Sequence, residues 1–553
     1  MKIDIQGSKR VRFVAHTTLR VMILQFGLLA YCSACSPKPC WDAVTTQFNV
    51  GPALLLTDGR ILIQQFNTSN WWTLTPNHGV YHTGTFTRVA SFPTSLNYAP
   101  NYFASAVLPD GRVIVEGGED NFNVPKWTTK GAIYDPVKNV WTPVAPPTGW
   151  TTIGDAQSVV LPNGTFMLAN CCDVPPQAAL LNAATLTWKI LNSTSGYKNK
   201  NDNNDEEGWT LLPDGKVLTI DTYWSVPYNP TAMNSEIYDP VAGSWSSAGN
   251  TVQQLWDSRA ACGKKTSNET GNAVLMPNGM VFATGANSCL DSDSDGTAGH
   301  TALYDTATGV WTAGPDIPGG NDVADGPAAL LPNGHVLVDT NPGYGNNPST
   351  LYEFNGTSFL SSIPQPVGLN PSNTEGGRML VTPAGTVLLT HLGSPNIWFY
   401  SPAGTYQSSW QPHICPGCYP AVGFIGSTYT MSGTQFNGLS QGASFGDDGQ
   451  SATNYPIVRI TNNSAVFRIT SCTLAGVMVG VLPRARSIFV HRPAVQKPIP
   501  PARGLLRRDL QLRRDLLVLQ SRSGRKESGI QRRSSDSLRS FSVLHFISLR
   551  MPA

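Results

Sequence analysis

Leu211-Leu212-Pro213-Asp214-Gly215-Lys216-Val217-Leu218-Thr219-Ile220 predicts a strand, a tight turn and a second strand. Apolar residues flank the Pro-Asp-Gly turn, and glycine supplies the positive φ that a hairpin needs. The unit recurs as Thr57-Asp58-Gly59, Pro109-Asp110-Gly111, Pro162-Asn163-Gly164, Pro277-Asn278-Gly279, Pro332-Asn333-Gly334 and Pro383-Ala384-Gly385. Successive turn glycines are 52, 53, 51, 64, 55 and 51 residues apart. Seven copies at a period near fifty, each built of short strands, predict a radial array of small sheets.

A second pattern follows each hairpin. Tyr134 precedes Trp141, Tyr238 precedes Trp245 and Tyr304 precedes Trp311, each by seven residues; Leu181 to Trp188 and Tyr352 to Phe359 keep the step, and Tyr400 to Tyr406 is one shorter. Tyr and Trp are amphipathic anchors between neighbouring sheets. Each repeat thus supplies four strands, and stacking buries faces that one repeat could not bury alone. With these motifs, Trp41 to Pro412 resembles the kelch repeats of galactose-oxidase-like seven-bladed β-propellers. The departure is the Gly-Gly doublet that kelch repeats carry after the second strand, present only as Gly117-Gly118. The expected fold is all-β: a seven-bladed kelch-type propeller over 41–412, its first and last blades adjacent.

Residues 413–472 alternate strand-like runs with Gly/Asn turns, as at Ser427–Ser440 and Asn454–Ile460. They resemble the start of the immunoglobulin-like sandwich that follows the propeller in that family. Residues 473–553 differ in character: they hold 16 Lys+Arg against 4 Asp+Glu, leaving 22 against 32 in the rest of the chain. A basic tail for an anionic surface is one reading. The preferred one is an aberrant, disordered segment from a shifted reading frame, because it begins inside a domain that still needs strands. The acidic body argues against nucleic acid as a partner.

Residues 1–40 read as an export signal and short linker. Lys9, Arg10, Arg12 and Arg20 precede the apolar run Val21–Ala30, too short to span a bilayer. A secreted or periplasmic monomer is expected, with a lipidated Cys35 as the alternative. Ten cysteines suit an oxidising compartment. Cys262 and Cys289 flank the fifth hairpin and form a candidate disulfide; Cys171-Cys172 is vicinal, and Cys415-Pro416-Gly417-Cys418 is a lone CxxC.

The family resemblance implies copper-radical chemistry, which needs two Tyr and two His on one copper. In that family the last blade supplies a Tyr-His pair ahead of its hairpin. Aligned on Gly385, this chain has Glu375-Gly376 there. Tyr81-His82, its only Tyr-His, is expected in the third strand of blade one, away from the axis. No catalytic residue or metal ligand is therefore assigned.

A different set recurs at that position. Asp155, Glu207, Glu269, Asp325 and Glu375 lie 8 to 10 residues ahead of their turn glycines. If the first strand of each blade lines the axis, these carboxylates converge on one mouth of the channel and form a candidate site for calcium, another cation or a polyhydroxylated ligand. The plainer reading is that each acid caps its own loop. Asp291–Gly296 matches the first half of a calcium loop, but Ala302 stands where a bidentate Glu belongs. The functional expectation is a non-catalytic module binding a glycan, small ligand or protein at the channel face, with a copper oxidase as the alternative.

Overall fold

In the computed structural model the described residues are 35–171, 176–191, 200–201, 204, 206–222, 233–256, 269–286, 299–343, 347–369, 374–414, 429–436 and 438–440, plus short strands within 458–548. The expected signal segment, Cys262, Cys289, the 291–296 loop and Cys415–Cys418 lie outside them.

Seven antiparallel sheets follow one another along the chain. Blade one runs Val50–Leu55, Ile61–Gln65, Trp71–Asn77 and Val80–Arg88. Its hairpin shows why the repeat is legible. The Gly59 N–H donates to the Leu56 carbonyl, and Asp58 Oδ1 accepts the Arg60 N–H at 3.0 Å. The same side-chain cap forms at Asp110, Asn163, Asp214, Asn278 and Asn333. All seven turn glycines have φ between 76° and 90°. A Cβ on Gly215 would lie 2.8 Å from Pro162, and one on Gly164 would lie 2.7 Å from Pro109. The turn of one blade thus rests on the proline of the preceding turn, and the turns gather on one face.

The Tyr and Trp strands form the seams. Tyr134 pairs with Trp141, Tyr238 with Trp245 and Tyr304 with Trp311. The indole N–H of Trp141 donates to the Ala90 carbonyl, that of Trp188 to Ala145 and that of Trp311 to Ser235 Oγ, each in the preceding blade. Blade six departs from the expected step. There Phe354, not Tyr352, takes the register position opposite Val336, stacks on Phe282 at 3.8 Å and bridges to Phe359. Its sheet has three strands.

Blade seven also differs from expectation. Its three strands, Gly377–Val381, Val387–His391 and Asn396–Ser401, gain their fourth from the beginning of the chain. Cys40–Thr45 pairs antiparallel with Asn396–Ser401, so the ring closes by joining both ends of the propeller. Cys35 forms a disulfide with Cys40, which occupies the thiol that lipidation would need. Tyr81 and His82 belong to the outermost strand of blade one; His82 Nδ1 lies 3.4 Å from Asp42 on the closing strand. Beyond the propeller, Tyr429–Thr434 pairs with Arg486–Val490, and Val458–Thr461 with Val466–Ile469 and His545–Ser548. The rest of 413–553, where a sandwich and tail are expected, lies outside the described residues. Among those residues no helix is long and apolar enough to cross a membrane.

Two acids are buried at equivalent ends of second strands. Glu116 ends Val113–Glu116 in blade two, and Asp339 sits in Val336–Thr340 of blade six. Both Glu116 oxygens and Asp339 Oδ1 lack a hydrogen-bond partner. Glu116 opposes Gly131, where a Cβ would collide with its carboxyl group. Burial holds the Glu116 carboxyl well above the usual range. Burial likewise pushes Asp339 up to about 7, against smaller opposing hydrogen bonds from Ser349 and Thr340.

Two expectations follow from this packing. A chain beginning at Gln47 lacks the closing strand and should lose its cooperative thermal transition in calorimetry; an unchanged transition would mean that blade seven needs no fourth strand. For Asp339, the unfolded carboxyl ionises near 3.8 and the folded one near 7. Between those values the unfolded chain has released a proton that the folded protein keeps, so stability falls as pH rises through the window and levels off above it. Asp339→Asn should therefore stabilise the protein at pH 8, by up to about 4 kcal/mol, and much less at pH 4. Denaturant unfolding at the two pH values measures the difference, and equal effects would contradict the assignment.

Candidate functional site at the channel mouth

The first strands of the blades line the axis, and the segments entering them lie on the face away from the hairpin turns. Hydrogen bonds to backbone carbonyls join these segments from blade to blade. Thr270 Oγ1 donates to the Glu206 carbonyl at 3.4 Å, the Asp325 N–H to the Thr270 carbonyl at 3.0 Å, and Thr374 Oγ1 to the Ala324 carbonyl at 3.2 Å. Entry segments of blades four to seven thus form a continuous arc. Left-handed residues recur along the entries: Tyr102 (φ 49°), Glu206 (φ 56°) and Asp325 (φ 53°), with Gly154 at φ 68°.

The five acids differ in their surroundings. Asp155 and Glu375 are half-buried, whereas Glu269 and Asp325 are buried and Glu207 is fully so. Glu207 does not open on the mouth. Lys200 Nζ lies 2.8 Å from its carboxylate, 3.2 Å from Asp221 and 3.6 Å from Glu236, all four side chains being at most 2% exposed. Thr219 Oγ1 and the Thr222 N–H also donate to Glu207, the Asn201 N–H donates to Glu236, and the ammonium sits 5.7 Å from the Trp245 ring. This cluster pins the entry of blade four. No sequence signal placed Lys200 among three carboxylates, because Asp221 and Glu236 reach it through strand pairing.

A second assembly does face the mouth. The Tyr102 hydroxyl, from blade two, lies 3.3 Å from Glu375 Oε1 of blade seven. The Arg378 guanidinium stands 5.7 Å from the Tyr102 ring, and its Nη1 donates to the carbonyls of Glu375 and Gly377. A Cβ on Gly376 would collide with the His391 ring, so that imidazole covers the residue after Glu375. The Glu119 N–H donates to the Tyr102 carbonyl. Burial, then the charges of Asp120 and Glu375, hold the Glu119 carboxyl above its ordinary value. Tyr102 stands nine residues before Gly111, the spacing shared by the acids, but its residue type kept it out of that set.

Where a copper site would need Tyr-His, the chain presents Glu375-Gly376 under His391, with Tyr102 bonded to the carboxylate. Among the described residues no three His, Cys, Asp or Glu side chains gather to hold a metal ion. These residues do not fit a two-Tyr, two-His copper centre.

No known protein-family profile matches the chain. The Kelch-like protein terF of Aspergillus terreus is 29% identical over 270 residues, which is 46% of this chain and 53% of that protein. The chain thus spans about half the length of this relative. Two solved structures are similar: a fungal alcohol oxidase of the AA5 family in complex with copper, at TM-score 0.46 and 14% identity over 83% of this chain and 93% of that one, and an extracellular domain from B. thetaiotaomicron, at TM-score 0.40 and 13% identity over 78% and 51%. The blades define a seven-bladed β-propeller. Its repeats follow the kelch pattern, and it is similar over 270 residues to a Kelch-like protein.

Breaking a buried ion cluster strands its remaining charges, at a cost of about 3–5 kcal/mol. Lys200→Met should therefore destabilise the protein by that amount in denaturant unfolding, and Glu207→Gln should destabilise it less. A neutral Lys200→Met would show that the cluster does not hold blade four.

Proposed function

We propose that the protein is a secreted, non-catalytic binding module whose ligand sits at the channel mouth and carries hydroxyl groups or positive charge. The convergence of Tyr102 and Glu375 from blades two and seven carries this reading. These blades are separated by blade one, so the contact gathers side chains over the axis. Glu119, Asp155 and Glu375 supply acceptors and negative charge, Tyr102 an aromatic face and Arg378 a fixed guanidinium. A few convergent polar groups on a rigid ring suit recognition of a polar ligand, and a cation offsets the burial and neighbouring charges of Asp120 and Glu375 that hold the Glu119 carboxyl up.

The test is retention on an immobilised-glycan array that carries neutral, acidic and amino sugars, run beside copper analysis of the same preparation. The wild-type protein should be retained by at least one sugar class, and Glu375→Gln with Tyr102→Phe should abolish retention. Stoichiometric copper, with hydrogen peroxide released from a primary alcohol and no sugar retention, would establish the oxidase instead.

A further inference from the structure

Residues 119–126 form a small hairpin beside the mouth. Asp120–Asn121 pairs with Pro100–Asn101, the Asn121 N–H donates to the Val124 carbonyl at 3.0 Å, and the Lys126 N–H to the Glu119 carbonyl at 2.8 Å. Its tip is Phe122-Asn123, at φ 55° and 56°. Two consecutive left-handed residues make the type I′ turn for which Asn-Gly is the usual solution. A phenylalanine there occupies a region that its Cβ disfavours, and such outliers persist where surrounding structure or function requires them. Phe122 is nevertheless 42% exposed, and Trp127, just past the hairpin, is 49% exposed. Among the described residues only Tyr406 is a third aromatic this open.

The hairpin is fixed to the mouth. Gly117-Gly118, the kelch doublet, lies at its base, where the Gly118 N–H donates to the Gly154 carbonyl at 2.6 Å. A Cβ on Gly154 would lie 3.6 Å from Trp127 Cδ1, which places the indole beside the residue preceding Asp155. Glu119 leads from Tyr102 into the hairpin, and the charges it feels are those of Asp120 and Glu375. Lys130 is held by the Asn97 carbonyl at 2.6 Å, and Lys126 is exposed on the returning strand.

We propose that residues 119–127 are an aromatic platform for a chain of positively charged amino sugars, which lie against Trp127 and Phe122 with an ammonium group directed at Glu119 and Glu375. This rests on the mouth being a ligand site and names the ligand class. Aromatic faces attract organic cations, and flanking carboxylates add charge complementarity. The same carboxylates repel anionic lipid headgroups, which argues against insertion of the tip into a membrane surface. A platform running outward from the mouth suits a chain better than a single small amine.

Isothermal titration of the full chain tests this with three probes: a glucosamine hexamer, the N-acetylglucosamine hexamer and choline chloride. The glucosamine hexamer should bind, and more weakly as salt is raised. The acetylated hexamer and choline should each bind at least tenfold more weakly. Trp127→Ala and Glu119→Gln should each lower affinity for the glucosamine hexamer about tenfold, with no loss of thermal stability. Equal affinity for the acetylated hexamer, equal affinity for choline, or an unaffected Trp127→Ala variant would overturn the proposal. If the array retains another glycan class through Glu375 while the glucosamine hexamer does not bind, the platform inference falls and the mouth reading stands.

Discussion

The structure depends on closing a ring of sheets that cannot bury themselves singly. Each blade covers one face of its neighbour, so an open array would leave two apolar faces in water. The last gap is bridged by main-chain hydrogen bonds between Cys40–Thr45 and Asn396–Ser401. That pairing couples the beginning of the propeller to its end. It also brings blade seven near blade two, and so makes the contact between Tyr102 and Glu375 geometrically available.

The two ends of the propeller carry different burdens. At the hairpin end, short side-chain caps and stacked turns satisfy the backbone locally. At the mouth end the second strands terminate in buried polar groups, and there the fold holds charges at a cost. Burial raises the carboxyls of Glu116 and Asp339, whereas Glu207 stays paired through Lys200. Polar groups that weaken a core are most easily tolerated where a rigid ring over-determines their position. The mouth combines such groups with side chains that reach solvent.

Much of the fold was legible because its signals are local. A Pro-Asp-Gly turn writes its φ and its cap into three residues, and a Tyr–Trp pair seven apart predicts its own register. Blade six resisted this reading because Phe354 assumes the role that Tyr352 seemed to hold, a choice made by packing on Phe282. The closing strand was hidden because its partner lies more than 350 residues away. At the site, spacing marked the entry segments but could not tell how each acid is surrounded. Glu207 and Glu375 share that spacing, yet one is buried against Lys200 and the other meets Tyr102. Tyr102, Arg378 and His391 carry no motif. Gly117-Gly118 stood out as the doublet that follows a second strand, and in the structure it marks the base of the hairpin with Phe122.

The central claim is that ring closure assembles one mouth from side chains of distant blades. The most direct measurement is a double-mutant cycle on folding stability with Tyr102→Phe, Glu375→Gln and the double variant. A hydroxyl–carboxylate bond across the mouth predicts a coupling energy of about 1 kcal/mol. Strict additivity of the two substitutions would contradict the account, since it would mean that blades two and seven do not meet there.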